Sequence, residues 1–446
     1  MRSRVSRSMR DRALMRRAPW VGLTAVVAVI TVSSLGGSWY RSHHVRVPLY
    51  STTVVLDGGE RVMLDPGSPL AVTAASRVQP GTGQAEALRA EERRWLAEGA
   101  VPAGPSGQYA EASRSALLDL RVLTLDNGAS VAAWSPRWRY VWPRDASFAA
   151  VALSRTGHVD DAERILLYLR DMQSPTGHFQ ARYLPDGSGN TPDNRGVQLD
   201  GTGWVLWALS EWYEALPPAE RQQRTQVFGA MLDRSVDAMG VALDDPPHLP
   251  EVSPDYWEVP EDELTLGTAA PWLAGLQAAQ RVYAGLGESA RAHRVDGLQQ
   301  QLSAAIVRTF GPRYARYADG KDRDAAVAFL LPPFVHGFED LATDPWRAAA
   351  AGMARPAGGL APGEGWKNDG ISWTPQTSLF AFTAATTGDT VRATAWLDWL
   401  VAHRTAAGSF PEKVLSDGQP AGPAPLAWTS ALFLLGVQAL DAHEGS

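Results

Sequence analysis

The sequence predicts an all-α fold, a toroid of helix pairs, preceded by a transmembrane helix and a short β segment. Two observations carry the toroid. From about residue 85 to the end, apolar residues recur with helical periodicity and no strand-rich block intervenes. The loops between those helices also alternate in character, short plain ones with long ones crowded with aromatic and charged residues. Short loops make antiparallel neighbours, so every second loop falls on the same end of an up-and-down array. The decorated loops then share one face and meet at a cleft.

Four stretches follow in order. Residues 1–18 carry seven arginines between Arg2 and Arg17 and read as a cytoplasmic basic tail. Residues 19–38 contain "PWVGLTAVVAVITVSSLGG", an uncharged run that reaches the roughly 17–25 residues needed to cross a bilayer. With the basic flank on its near side, it reads as a single-pass signal anchor with the N-terminus in the cytoplasm and the bulk of the chain outside. The rival is a cleaved signal peptide and a secreted chain, but no clear small-x-small site precedes Ser38. Residues 39–84 form a short β-rich segment and linker. There, β-branched runs between 47 and 78 are broken by Asp-Gly-Gly and Asp-Pro-Gly turns, and "QPGTGQ" follows. Residues 85–446 are the helical domain. Its helices are expected at 85–98, 109–124, 144–155, 158–172, 200–215, 218–239, 263–285, 288–310, 322–331, 344–354, 374–387, 389–404 and 426–441.

Composition narrows the chemistry. Apolar content of 45% and charged content of 20% are globular. A net charge of -7 excludes a typical nucleic-acid binder, and the absence of cysteine excludes disulfides, thiol catalysis and thiolate zinc sites. The nine histidines show no metal-binding spacing, and neither a nucleophile elbow nor a phosphate loop occurs, so no metal or cofactor is expected. Seventeen tryptophans stand out, and on loops they suit stacking against flat apolar faces such as sugar rings.

The decorated loops are "WSPRWRYVWPRD", "GHFQARYLPDGSGNTPDNRGVQLDG", "PPHLPEVSPDYWEVPEDE", "RYARYADGKDR", "GGLAPGEGWKNDGISW" and "AAGSFPEKVLSDGQPAGPAPLAW". In the third, Tyr256, Trp257 and Val259 flank Glu258 and could disfavour its anion. In the last, Lys413 adjoins Glu412 and would help keep it ionised.

"DNGASVAAWSP", "YVWPRDASFAAVAL", "QLDGTGW", "DYWE…GTAAPWLAGL" and "FPEKV…PLAWTSALFLLG" resemble, in that order, the motifs of the glucoamylase-like glycoside hydrolases, family 15. The resemblance spans roughly Tyr109 to Ala442 and implies an (α/α)6 barrel that releases glucose, with inversion, from the non-reducing end of an α-glucoside. Glu258 falls on the family's general acid and Glu412 on its general base. Arg144 and Asp145 match its sugar-binding Arg-Asp pair, and Tyr140 and Trp142 would form the sugar platform. Gln198 and Asp200 match a Gln-x-Asp-Gly segment, although Asp200 could instead cap the following helix. Tyr256, Trp257, Trp366 and Trp373 complete the expected binding set, and Trp138 is expected only to pack against its loop.

Two departures blur the substrate. Val259 replaces a frequent second glutamate, and Lys367 and Asn368 stand where starch-active members have an arginine. Bacterial relatives often carry a β-sandwich domain, for which only the 47–78 segment is available here. The expected partners are a carbohydrate and, through the N-terminal helix, a membrane. The rival reading is an inactive glycan-binding or cell-envelope protein on the same fold. A toroid polysaccharide lyase would need a cationic groove, and the decorated loops look too poor in basic residues for one.

Overall fold

Thirteen α-helices build the body of the protein in a computed structural model that describes residues 47–67, 75–81 and 83–444. They are α1 (Ala85–Glu98), α2 (Ala110–Leu123), α3 (Pro143–Arg155), α4 (Val159–Met172), α5 (Asp200–Ala215), α6 (Pro218–Thr225), α7 (Gly229–Leu243), α8 (Leu266–Gly285), α9 (Ser289–Phe310), α10 (Glu339–Met353), α11 (Thr374–Thr386), α12 (Thr390–Ala402) and α13 (Ala427–Glu444). The tail expected at 1–18 and the span expected at 19–38 lie outside the described residues. Among the described residues, no helix is long and apolar enough to cross a membrane.

Six inner elements close a ring. Helix α3 packs on α5, α5 on α8, α8 on a 3-10 helix (Ala325–Leu330), that element on α11, α11 on α13, and α13 back on α3. Around them lie α2, α4, α7, α9, α10 and α12, so the mainly helical architecture is that of an (α/α)6 toroid. Burial follows from the arrangement. Every residue of α3 from Pro143 to Ser154, and of α11 from Thr374 to Ala385, is buried. A helix enclosed on all sides needs no polar face.

Two places differ from the expected helices for physical reasons. The helix read over 218–239 is broken by a 3-10 turn at Gln226–Phe228 into α6 and α7. The stretch read as helix over 322–331 is only the six-residue 3-10 element, which starts at Asp324, whose side chain accepts from the Ala326 N–H. Phe334, just beyond it, fills the barrel axis. Its ring lies 5.1–5.8 Å from those of Phe148, Trp204, Trp207, Phe329 and Phe382, contributed by α3, α5, the 3-10 element and α11. Such offset aromatic contacts add stability beyond the area they bury.

Strands β1 (Thr53–Asp57) and β2 (Glu60–Leu64) form the expected hairpin, with Gly58 and Gly59 in the turn at positive φ. It is no separate domain, because Arg46–Ser446 forms one compact unit. Val54 and Val55 are fully buried, and the Arg61 guanidinium donates to the carbonyls of Val122 and Thr124 at the end of α2. A second sheet, not foreseen, joins two decorated loops: β3 (Ser372–Trp373), β4 (Lys413–Val414) and β5 (Pro420–Ala421), all antiparallel. Strands of two residues leave no alternation to read in sequence.

Helices α5 and α8 touch backbone to backbone. A Cβ on Gly203 would sit 2.0 Å from the Pro271 carbonyl oxygen, and one on Gly275 would sit 2.7 Å from the Gly203 Cα. Gly203→Ala is therefore expected to destabilise the fold by about 1–3 kcal/mol through overpacking. Gly297→Ala, in the middle of α9 with open space around it, is expected to stabilise it by about 0.5–1 kcal/mol. Urea unfolding of both variants measures the contrast, and equal effects would refute the close crossing.

Candidate active site

The decorated loops lead from outer to inner helices, so all open at one end of the barrel. Residues from five of them line a cavity of about 490 Å³ at that end, together with the first turns of α3, α11 and α13. The sixth loop lies behind the wall, where Arg316 is fully buried.

At the buried end of the cavity lies Arg144, the second residue of α3. Pro143 starts that helix with a preset φ and no lost hydrogen bond. The Arg144 guanidinium donates to Asp200 at 2.7 Å and to Glu258 Oε1 at 3.0 Å, with Asp145 at 3.7 Å and the Trp428 ring at 5.4 Å. Burial lowers the Arg144 pKa, but the charges of Asp200, Glu258 and Asp145 outweigh it and hold the side chain more firmly protonated than usual. Burial likewise pushes Asp145 up to about 7 and Asp200 up to about 6, with Arg144 pulling each part of the way back.

Glu258 has a left-handed backbone, φ 56°, which costs a non-glycine residue energy and persists only where surroundings impose it. Asp255 imposes it locally. Its carboxylate accepts from the Trp257 N–H at 2.9 Å and from the Thr265 hydroxyl at 2.8 Å, while its carbonyl accepts from the Glu258 N–H at 2.9 Å. Behind it, Arg316 pairs with Asp255, Glu261 and Asp324 and stacks on the Trp257 ring at 3.8 Å.

The expected apolar wall around the Glu258 carboxyl is not there. Trp257 faces Arg316, the Tyr256 hydroxyl is bound to Asp324, and both Glu258 oxygens meet guanidiniums, Oε1 from Arg144 and Oε2 from Arg195. The aromatic neighbours were legible in the sequence, but the arginines that meet the carboxyl come from other loops and left no local signal.

Glu412 enters from the opposite loop. The small sheet pairs Lys413 with Trp373, and the Glu412 N–H bonds to the Pro423 carbonyl at 2.9 Å. Its Oε1 accepts from the Trp138 indole at 3.1 Å, and its Oε2 lies 2.7 Å from Lys413 Nζ, as expected for that neighbour. Trp138 thus does more than pack against its loop. Between the two glutamates runs an arc of edge-to-face rings, Trp257 on Trp366 at 4.8 Å and Trp366 on Trp373 at 5.5 Å, with Lys413 over Trp373 at 4.4 Å.

Of the expected residues, Tyr140, Trp142, Arg144, Asp145, Tyr256, Trp257, Glu258, Trp366, Trp373 and Glu412 all line the cavity. Gln198 and Asp200 do not. Asp200 is the first residue of α5 and spends its carboxylate on Arg144 rather than on a cap, and Gln198 donates to the Asp255 carbonyl. Both therefore position other residues. Sequence reading missed Arg137, Arg182, Arg195, Gln376 and Trp428 on the wall. It also underestimated the basic character of the loops, since five of the lining side chains are cationic. Indole N–H groups of Trp142, Trp257, Trp366, Trp373 and Trp428, and Oε1 of Gln376, are buried without a protein hydrogen-bond partner. A cavity walled by flat rings and unspent polar atoms suits a polyhydroxylated ligand.

No family model matches the chain. The isomaltose glucohydrolase of Kribbella flavida is 26% identical, over 66% of this chain and 83% of that protein. An uncharacterized glycosyl hydrolase of Methanocaldococcus jannaschii is 31% identical over 23% of this chain, a match that spans only 16% of that protein's length. Among solved structures, a wild-type glycosidase superposes with a TM-score of 0.63 at 22% identity, over 74% of this chain and 96% of that one. A bacterial glucoamylase complexed with acarbose gives 0.65 at 16% identity, over 80% and 59%. The fold is glucoamylase-like. Glycoside hydrolase is the enzyme class that the Kribbella relative supports for the chain, and the solved structures show the shared fold.

Asp145 and Asp200 hold a proton more tightly when folded, so their contribution to stability is complete below the ordinary aspartate pKa of about 4. It is lost as pH rises through 6 and 7. Over pH 5–7.5 the melting temperature of Asp145→Asn is expected to fall less with rising pH than that of the wild type. Thermal unfolding followed by circular dichroism tests this, and parallel curves would refute it.

Proposed function

We propose that the chain is an exo-acting, inverting hydrolase that releases glucose from the non-reducing end of an α-glucoside. One observation carries the reading: Glu258 and Glu412, from loops far apart in sequence, line the same cavity, with Arg144, Asp145 and an arc of tryptophans between them. Inversion needs two carboxyl groups roughly 6.5–9.5 Å apart, one to protonate the leaving oxygen and one to activate water. Glu258 in its protonated form gives its proton to the glycosidic oxygen as the bond to the anomeric carbon breaks. Glu412 takes a proton from the water that bonds to that carbon on the opposite face, and β-glucose leaves. The Trp138 indole and the Lys413 ammonium hold the Glu412 carboxyl group by its two oxygens and fix its orientation.

Arg144 and Asp145 fit the sugar-binding role, because a buried fork beside a carboxyl group can read adjacent hydroxyls. Tyr140, Trp142, Tyr256, Trp257, Trp366 and Trp373 would stack and shape the sugar site. The isomaltose named for the Kribbella protein is the first disaccharide to test. The sequence span at 19–38 would hold this body at the outer face of a cell membrane. Glycan binding without hydrolysis has one observation in its favour, the pairing of both Glu258 oxygens to arginines.

Glu258→Gln and Glu412→Gln are each expected to lower kcat on an α-linked glucose disaccharide by at least about 100-fold, the lower end of what general acid–base catalysis contributes. Proton NMR of the first turnovers should show β-glucose. Activity retained in both variants would refute the assignment, α-glucose as first product would refute inversion, and tight binding without turnover by the wild type would establish the rival.

A further inference from the structure

The cavity differs in charge from the molecule that contains it. The chain carries a net charge of -7, yet the wall presents Arg137, Arg144, Arg182, Arg195 and Lys413 against Asp145, Glu258 and Glu412. Two more cations than carboxylates face the cavity, so what matters is which of them lack a full-time partner.

Most of those cations are committed. Arg144 serves three carboxylates, and Lys413 serves Glu412. Arg182 pairs with Asp193 and lies over the Tyr140 and Trp142 rings. Two are not. Arg137 is exposed and is in no ion pair among the described residues. The Arg195 side chain is 39% exposed, and its two partners already have other arginines: it shares Asp193 with Arg182 and Glu258 with Arg144. A neutral glucoside gives neither side chain a charged partner.

On the hydrolase reading, glucose sits toward Arg144 and the leaving group extends outward past Glu258, where Arg195 is the exposed cation. We propose that the leaving group carries an anion, a carboxylate or a phosphate, which binds Arg195 and Arg137 and draws Arg195 off Glu258. Guanidinium forks suit both oxyanions. The exchange also resolves a conflict inside the site. Both Glu258 oxygens are engaged by guanidiniums, whereas a general acid needs one oxygen free to carry its proton to the leaving oxygen. Removing Arg195 leaves Glu258 paired with Arg144 alone and frees its Oε2. The anionic substrate thereby helps to arm the acid that cleaves it.

The test uses the full chain and three matched α-glucosides, of ethylene glycol, glycolic acid and 2-hydroxyethyl phosphate, compared by kcat/KM and, by calorimetry, for binding. Charge-assisted hydrogen bonds predict that one or both anionic compounds exceed the neutral one by about ten- to a hundredfold. The advantage should shrink as ionic strength rises. The two anionic arms show which oxyanion the arginines take. Arg137→Gln should lower kcat/KM for the anionic compounds by a larger factor than for the neutral one. Arg195→Gln should remove the preference and Arg195→Lys should restore part of it, a rescue that a merely structural role would not produce. Equal or better use of the neutral glucoside by the wild type overturns the inference while leaving the hydrolase standing. If none of the three is cleaved, the disaccharide assay decides the hydrolase reading, and calorimetry still decides the anion preference, equal binding overturning it.

Discussion

One buried guanidinium holds the candidate site together. Arg144 lies at the start of α3, yet its partners come from the first turn of α5 and from the loop before α8, and its stacking partner Trp428 from α13. Four of the six ring elements α3, α5, α8 and α13 are thus referred to a single cation. Breaking a buried pair by removing one partner costs about 3–5 kcal/mol, because the remaining charges are left uncompensated. Here three carboxyls would be left, and the raised pKa values of Asp145 and Asp200 show how close to neutralisation they already are. The cluster therefore acts as a charge balance that the fold can close in one arrangement only, with Glu258 at the cavity wall.

A second guanidinium repeats the device one layer back. Arg316 ties Asp255 to Asp324, and with it the loop before α8 to the 3-10 element of the ring. The 255–258 turn is gripped from both sides, by Arg316 under Asp255 and Trp257 and by Arg144 at Glu258. That double grip explains how a glutamate keeps a positive φ in a loop with so little regular hydrogen bonding.

The legible part of the molecule was its local chemistry. Helical period and plain short turns such as "TTGDT" placed nearly every helix, and loop alternation placed the open end of the barrel. Aromatic residues on those loops marked the cavity wall, Trp257, Trp366 and Trp373 included. What stayed hidden depends on contacts between residues far apart in sequence. Arg195 and Arg182 lie in a polar loop whose composition suggests only solvent, and their roles emerge when folding brings Glu258, Tyr140 and Trp142 to them. Asp200 looked equally suited to a helix cap or to a sugar, and it serves Arg144 instead. The inner helix at 322–331 was overestimated because six buried apolar residues read alike in a 3-10 turn and in an α-helix, and only the Phe334 ring at the barrel axis shows how so short an element fills its place.

The two halves of the site are held by different physics. The Glu258 half rests on buried charge and is sensitive to anything that alters it, a proton or a competing anion. The Glu412 half rests on backbone pairing. Beyond the three-stranded sheet, the Tyr50 N–H bonds to the Gly422 carbonyl at 2.9 Å, the Gly422 N–H to the Pro48 carbonyl at 3.0 Å, and the Ser51 hydroxyl to the Ala424 carbonyl at 2.6 Å. The segment that precedes the hairpin is therefore a strut for the loop that carries Glu412, and Tyr50 also meets the Trp138 ring that holds the carboxylate. Neutral peptide hydrogen bonds keep their geometry as local charge changes, so the glutamate fixed by the strut stays in place while the one held by arginines can exchange partners. The two carboxyl groups on the cavity wall thus differ in how freely they can change partners.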